Sequence, residues 1–294
     1  MAAIHGVLTA MVTPFAKDGE VDYEVARRLA AQLVDSGSHG LVVAGTTGEA
    51  PTLSDDERAE LVSAVLDEVG ERATVIAGVG TNDTRHSVEQ AKAMAGLGVD
   101  ALLVTTPYYN KPNHAGLQAH FEAVAEAAGG LPLILYNIPS RSAINMSPDF
   151  LATLAASIGS VTAVKQANDD ELGPIDGLEI LAGNDGVFLR CLKQGGVGGI
   201  LVSSHIVGAE LRQIYESVLG GDPAHASELD AGLEPIYETM LVAPNPIPVK
   251  AALEMLGVIE GGLRLPMVAA SQSERTAIRT ALERHGLLVA GGLA

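Results

Sequence analysis

The stretch "SVTAVKQAND", residues 160 to 169, places a lysine where one is costly. Ser160 to Val164 are β-branched and small residues between turn formers, the pattern of a short buried strand. Lys165 closes the run. An ammonium taken out of water costs several kcal/mol unless it is paired or gives up its proton. A lysine amine without its proton is a nucleophile, and toward a ketone it forms a Schiff base. This stretch alone also allows a structural reading, in which the side chain runs past the strand end to water or pairs with Asp169 or Asp170.

Schiff-base chemistry needs protons moved as the carbinolamine forms and loses water. Tyr136, in "YNIPSRS", can act as general acid and base if neighbouring hydroxyls orient it. Thr46 of "GTTGE" and Tyr109 of "TPYYNKP" are the candidates, and Thr47 adds a further hydroxyl. Arg141 follows a proline-bearing turn and is a natural fork for a substrate carboxylate. Each has a structural alternative. Tyr136 fits a half-buried strand aromatic with a satisfied hydroxyl, the threonines fit turn residues bonding their own backbone, and Arg141 fits a surface cation. The pair Tyr108-Tyr109 suits interface packing as well as chemistry.

These side chains can meet only if the chain gathers its strand ends in one place. Short apolar runs begin at His5, His39, Ala73, Asp100, Leu131, Ser160, Leu178 and Gly198, eight in all. Amphipathic segments such as 22–36, 54–70, 83–98 and 115–129 separate them, several opened by Ser or Asp and closed by Gly. Strand then helix, repeated eight times over roughly 220 residues, predicts an α/β fold of the (β/α)8 TIM-barrel type. A doubly wound sheet is the competing architecture. In a barrel, active sites gather at the C-terminal strand ends, which is where Thr46, Thr47, Tyr108, Tyr109, Tyr136, Arg141 and Lys165 fall.

The segment "QANDDELGPIDG" after Lys165 is too short and too rich in Gly and Pro for a full crossover helix, so a truncated or irregular one is expected. Beyond Gly220-Gly221 the alternation stops, and helices are predicted over 223–241, 246–256 and 271–285. The expected organisation is a catalytic barrel at 1–221 followed by a C-terminal helical appendage at 222–294.

Composition removes several classes of function. The 294 residues, 47% of them hydrophobic, can bury a large core, and 18 Lys and Arg against 36 Asp and Glu give a net charge of −18. Nucleic acid and anionic membranes are poor partners for such a surface. No basic segment with a following apolar run opens the chain, and no apolar run approaches the ~20 residues of a membrane span, so a cytoplasmic protein is expected. Cys191, in "VFLRCLKQ", is the only cysteine; it excludes an internal disulfide framework and reads as a packed helix residue. The eight histidines lack ligand spacing, and "GVGTND" at Gly78 and "GGVGG" at Gly195 lack the dinucleotide fingerprint, so no metal or nucleotide cofactor is expected.

Taken together, "GTTGE", "TPYYNKP", "YNIPSRS", Lys165 in "VTAVKQA" and "NPIPVKAALEMLG" from Asn245 resemble the dihydrodipicolinate synthases, a branch of the pyruvate-dependent Schiff-base lyases. The likeness runs in order from about Gly6 to the final helices. "GTTGE" and the lysine are shared with the wider superfamily, N-acetylneuraminate lyase included, whereas "TPYYNKP" and "PSRS" point to the synthase branch.

The resemblance implies an aldol-type condensation of pyruvate with L-aspartate 4-semialdehyde, on the route to diaminopimelate and lysine, with no external cofactor. It implies that Lys165 forms the imine and that Thr47, with nearby backbone N–H groups, holds the pyruvate carboxylate. Tyr136, Thr46 and Tyr109 would form the proton relay, with Tyr109 reaching in from a neighbouring subunit of a homo-oligomer. Arg141 would guide the semialdehyde carboxylate, and Gly183 and Ile200 would line the pocket through their backbones. A sister pyruvate aldolase acting on another aldehyde, or a catalytically silent relative that binds a keto acid, are the alternatives; the intact relay argues against silence.

The chain also departs from the family pattern. Ser142-Ala143 stand where many members continue "PSRTG", which leaves the shape of the Arg141 turn open. The segment 166–177 is shorter than in many members. Members inhibited by lysine bind it at a subunit interface, where this chain has Ala50, Pro51, Asp55, Arg58, Asn82, His86 and Tyr108. His86 replaces a carboxylate there and Arg58 adds positive charge, so weak or absent inhibition by lysine is expected.

Overall fold

The computed structural model describes residues 4–289. The first half of the chain runs β1 Gly6–Ala10, α1 Tyr23–Asp35, β2 Gly40–Val43, α2 Asp55–Val69, β3 Thr74–Val79, α3 Thr84–Leu97, β4 Ala101–Thr105, α4 His114–Ala127 and β5 Leu133–Asn137. It continues with α5 Pro139–Ser142, α6 Pro148–Ser157, β6 Val161–Gln166, β7 Glu179–Ala182, α7 Phe188–Lys193, β8 Gly198–Leu201 and α8 Ser204–Leu219. The eight strands pair in sequence order, all parallel, and β8 returns to β1 to close a barrel. The TIM barrel expected from the strand-helix rhythm is therefore the observed fold, and the doubly wound alternative is excluded.

Local signals account for the element boundaries. Ser54 and Glu57 form a reciprocal capping box at the start of α2, and Asn113 caps α4 through the Gly116 N–H. Gly98 ends α3 in a left-handed conformation, φ 88°, which a glycine adopts without steric cost. Along each strand the side chains alternate between two apolar layers. Leu8, Val42, Ile76, Leu103, Ile134, Ala163, Leu181 and Ile200 fill the barrel interior. Val7, Leu41, Val75, Ala77, Leu102, Leu135 and Val164 face the helices outside. By the same alternation Tyr136 joins Ile134, and Lys165 joins Ala163, on the inward side.

The crossover from β6 to β7 carries only a 3-10 turn at Asp169–Glu171 and a single bridge between Ile175 and Leu178, the truncated connection predicted there. Cys191 is buried in α7, and desolvation pushes its thiol up to about 11, as befits a packing residue. After the barrel come α9 Pro223–Thr239, α10 Ile247–Met255 and α11 Gln272–Arg284, close to the three helices expected. The helix α9 lies along α8, and α10 packs on α11.

The start of α10 is bound to the barrel mouth by charge as well as packing. Lys250 is fully buried and donates to the Glu49 carboxylate and, at 2.7 Å, to the Gly262 carbonyl. Its Nζ also sits 4.2 Å from the centre of the Phe15 ring. Desolvation pulls Lys250 down to about 8, against the opposing pull of Glu49. Glu49 closes the "GTTGE" turn at φ 55° and takes a further hydrogen bond, 3.0 Å, from the Arg264 backbone N–H. Among the described residues no helix is long and apolar enough to cross a membrane.

Candidate active site

Parallel pairing places Tyr136 of β5 directly across from Lys165 of β6. Both point into the barrel mouth, 4% and 5% exposed, and the lysine Nζ lies 4.3 Å from the centre of the tyrosine ring. The lysine therefore does not run out to water. Among the described residues neither Asp169 nor Asp170 forms an ion pair with it; the Asp169 carboxylate accepts from Asn184 Nδ2 at 2.8 Å and Asp170 is exposed.

The next residue on each strand locks this pair in register. Asn137 and Gln166 are fully buried and joined by a hydrogen bond of 3.0 Å from Asn137 Nδ2 to Gln166 Oε1. Asn137 also donates to the Met146 carbonyl and accepts from the Met146 N–H, tying β5 to the start of α6. The bond between the two buried amides resists strand slippage, which would turn Tyr136 and Lys165 to the wrong face, while Gln166 Nε2 stays without a partner among the described residues.

A cleft of about 1020 Å³ opens above the pair and is lined by Thr47, Tyr136, Arg141, Lys165 and Gly183, among others. Thr47 is almost wholly buried, and its Oγ1 accepts from Asn245 Nδ2 at 2.9 Å. Arg141 is exposed on α5 and donates from Nη2 to the Asn245 carbonyl at 3.2 Å. Gly183, just past β7, donates its N–H to the Gln166 carbonyl at 2.8 Å. A Cβ there would lie 2.6 Å from that oxygen and 2.7 Å from Ala167 Cβ, so only glycine lets the β6 and β7 ends close together.

Three of the expected residues are not among those lining the cleft. Ile200 is fully buried in the barrel interior, in the same apolar layer as Tyr136. Thr46 is half-buried beside Thr47. Tyr109 is 87% exposed, on a loop residue with φ 73°, and does not enter this chain's own site.

Two residues without an assigned role in the sequence reading stand in the cleft wall. Asp185 accepts from the backbone N–H groups of Val202 at 3.0 Å and Ser203 at 2.8 Å, and from the Ser203 hydroxyl. Desolvation raises its carboxyl above the usual range, against those hydrogen bonds and the charge of Lys165. Its place at the end of β7, in "AGNDG", was the available signal. Asn245 comes from the segment before α10, and only its type and its motif pointed to it. On the far wall the Tyr237 hydroxyl donates to Asp230 at 3.1 Å; burial and the two aspartates Asp230 and Asp185 hold it firmly protonated.

The arrangement supplies a buried amine, an adjacent phenol, a hydroxyl donor and a guanidinium around one open cleft. That combination suits imine formation with a keto acid and recognition of a second carboxylate.

Comparison with known proteins agrees with this geometry. The model of the dihydrodipicolinate synthetase family matches residues 3–285. A 4-hydroxy-tetrahydrodipicolinate synthase from Moorella thermoacetica is 46% identical over 291 residues, covering 96% of this chain and 98% of the relative. One from Symbiobacterium thermophilum is 44% identical, covering 98% and 100%. A crystal structure described as DHDPS from Cyanidioschyzon merolae with lysine bound superposes with a TM-score of 0.93 at 40% identity, covering 97% of this chain and 99% of that one. A near-complete family match, together with relatives of this identity over almost the whole length, places the chain in the dihydrodipicolinate synthetase family.

Proposed function

We propose that Lys165 and Tyr136 together carry a condensation of pyruvate with L-aspartate 4-semialdehyde. The chain is a lyase of the family just named, a family of 4-hydroxy-tetrahydrodipicolinate synthases. The observation that carries the residue assignment is the buried Lys165 amine 4.3 Å from the Tyr136 ring at the floor of one cleft.

In the proposed sequence, Lys165 Nζ adds to the ketone carbon of pyruvate. The carbonyl oxygen takes up two protons and leaves as water, and the imine forms. Loss of a methyl proton gives the enamine, the protonated imine serving as electron sink. The enamine carbon adds to the aldehyde carbon of the semialdehyde, whose oxygen takes a proton to become a hydroxyl. The α-amino group of the semialdehyde portion then adds to the imine carbon and displaces Lys165 Nζ, which closes the ring and frees the lysine. Tyr136 handles these protons, with Thr46 and Tyr109 orienting it. Thr47 holds the pyruvate carboxylate, Arg141 the carboxylate of the semialdehyde, and Gly183 and Ile200 shape the pocket.

Tyr109 is assigned to a neighbouring subunit's site, which fits an aromatic side chain left almost fully exposed on a left-handed loop residue. The reading thus expects a homo-oligomer, working in the cytoplasm. Borohydride added with pyruvate tests the chemistry. It should inactivate the protein irreversibly and leave the reduced adduct on Lys165. An adduct on Lys193 or Lys250, or none, overturns the assignment. Consumption of the semialdehyde with pyruvate, followed through a reductase acting on the product, tests the substrate pair.

A further inference from the structure

We infer that Asn245 is a positioning residue that prepares Thr47 to receive a carboxylate and ties it to Arg141. This rests on the proposed function, which gives Thr47 the pyruvate carboxylate and Arg141 that of the second substrate. Asn245 stands 198 residues from Thr47 in sequence yet meets it across the cleft wall. One residue contacts both groups: its side-chain Nδ2 donates to Thr47 Oγ1 at 2.9 Å, and its backbone carbonyl accepts from Arg141 Nη2 at 3.2 Å.

The direction of the first bond decides what Thr47 can do. A hydroxyl has one proton and two lone pairs. With one lone pair taken by the Asn245 amide, the Thr47 proton is free to point at an acceptor in the cleft. A carboxylate is such an acceptor, and it gains a charge-assisted bond. With the amide reversed, Thr47 would spend its proton on Asn245 and offer the substrate only lone pairs, which repel an anion. The observed direction is also the cheaper one. Asn245 Oδ1 is enclosed without a partner among the described residues, and a reversed amide would place an NH2 with two unpaired donors in that position.

The test is Asn245→Asp, near-identical in size but an acceptor where the amide is a donor. The KM for pyruvate should rise about tenfold or more, and the pyruvate concentration for half-maximal borohydride trapping should rise with it. At saturating pyruvate, kcat should stay within about threefold of the parent. The KM for the semialdehyde should change less than about threefold, because the backbone carbonyl that holds Arg141 is retained. On a Thr47→Val background the same substitution should add little, since its effect passes through Thr47.

A pyruvate KM within about twofold of the parent, or effects that multiply in the double variant, overturns the inference. If Asn245→Asp does not fold, Asn245→Ala removes the donor without adding charge, and a pyruvate KM raised at least about threefold is then required. Failure of the parent protein to be trapped by borohydride with pyruvate is a different result, and it overturns the proposed function and this inference together.

Discussion

Tyr136 and Lys165 are register partners on neighbouring parallel strands, and their side chains meet on the inward face with Nζ 4.3 Å from the ring centre. Strand pairing, more than any loop, sets this distance. The first prediction follows from it. Tyr136→Phe keeps the ring and the packing and removes only the hydroxyl, so kcat should fall roughly 10²-fold while thermal stability barely changes. A kcat within about threefold of the parent would return Tyr136 to a packing role.

Tyr109 offers a test across subunits. Lys165→Ala and Tyr109→Phe chains, inactive or weak separately, should regain activity when co-assembled, because one mixed site is then complete. Verified mixed oligomers that stay inactive would mean that Tyr109 acts within its own chain or not at all.

Ala143 ends α5 with φ 59° and ψ 20°, a conformation in which a Cβ is strained, immediately after the Arg141 turn. The left-handed conformation is adopted here by an alanine. Ala143→Gly should relieve the strain and raise stability by roughly 0.5–1 kcal/mol, or about 1–2 °C in Tm. A lower Tm in calorimetry would show that the left-handed alanine costs less than the freedom glycine adds to the unfolded chain.

The positions that the resemblance assigns to lysine binding are joined to one another here by hydrogen bonds. His86 Nε2 lies 2.9 Å from the Asp55 carboxylate, and Gln90 donates to the same group at 3.2 Å. The buried Arg58 guanidinium donates to the carbonyls of Ala44, Gly78 and Ala50. An incoming ammonium must share the Asp55 carboxylate with His86 and Gln90, near the fixed charge of Arg58. Rate measurements at subsaturating pyruvate should give a half-inhibitory lysine concentration above about 1 mM, the equivalent of roughly −4 kcal/mol of binding. Inhibition below that concentration would show that these contacts open for the ligand.

Two buried histidines make stability depend on pH. Desolvation lowers both His120 and His205 to about 4 from an ordinary 6.5. His205 is fixed as neutral by accepting from the Val12 N–H at 3.1 Å while its Nδ1 meets the Val202 carbonyl at 2.8 Å. Between pH 6.5 and about 4 the unfolded chain binds protons that the folded chain refuses. Stability is therefore full above 6.5 and falls with pH across that window, by on the order of 3 kcal/mol for each histidine. Urea midpoints at pH 7.5, 6 and 5 should decline, and His120→Gln should flatten the decline. An unchanged slope in that variant would remove His120 as a source of the acid sensitivity.

What the sequence by itself determined is what depends on near neighbours in the chain. The alternation of β-branched runs with capped amphipathic segments specified strands, helices and their order, and eight parallel strands of that kind have few ways to bury both faces other than a closed barrel. The inward direction of Tyr136 and Lys165 follows from the two-residue period of a strand. The tertiary structure alone decided which polar groups meet. The Thr47–Asn245 and Glu49–Lys250 contacts join positions about two hundred residues apart, and no periodicity carries that information. Asp185 became visible only once β7 and β8 lay side by side and the Val202 and Ser203 N–H groups turned toward its carboxylate. Hydrogen bonds of this kind are set by the closure of the barrel and the docking of its last helices, where distance in space no longer tracks distance along the chain.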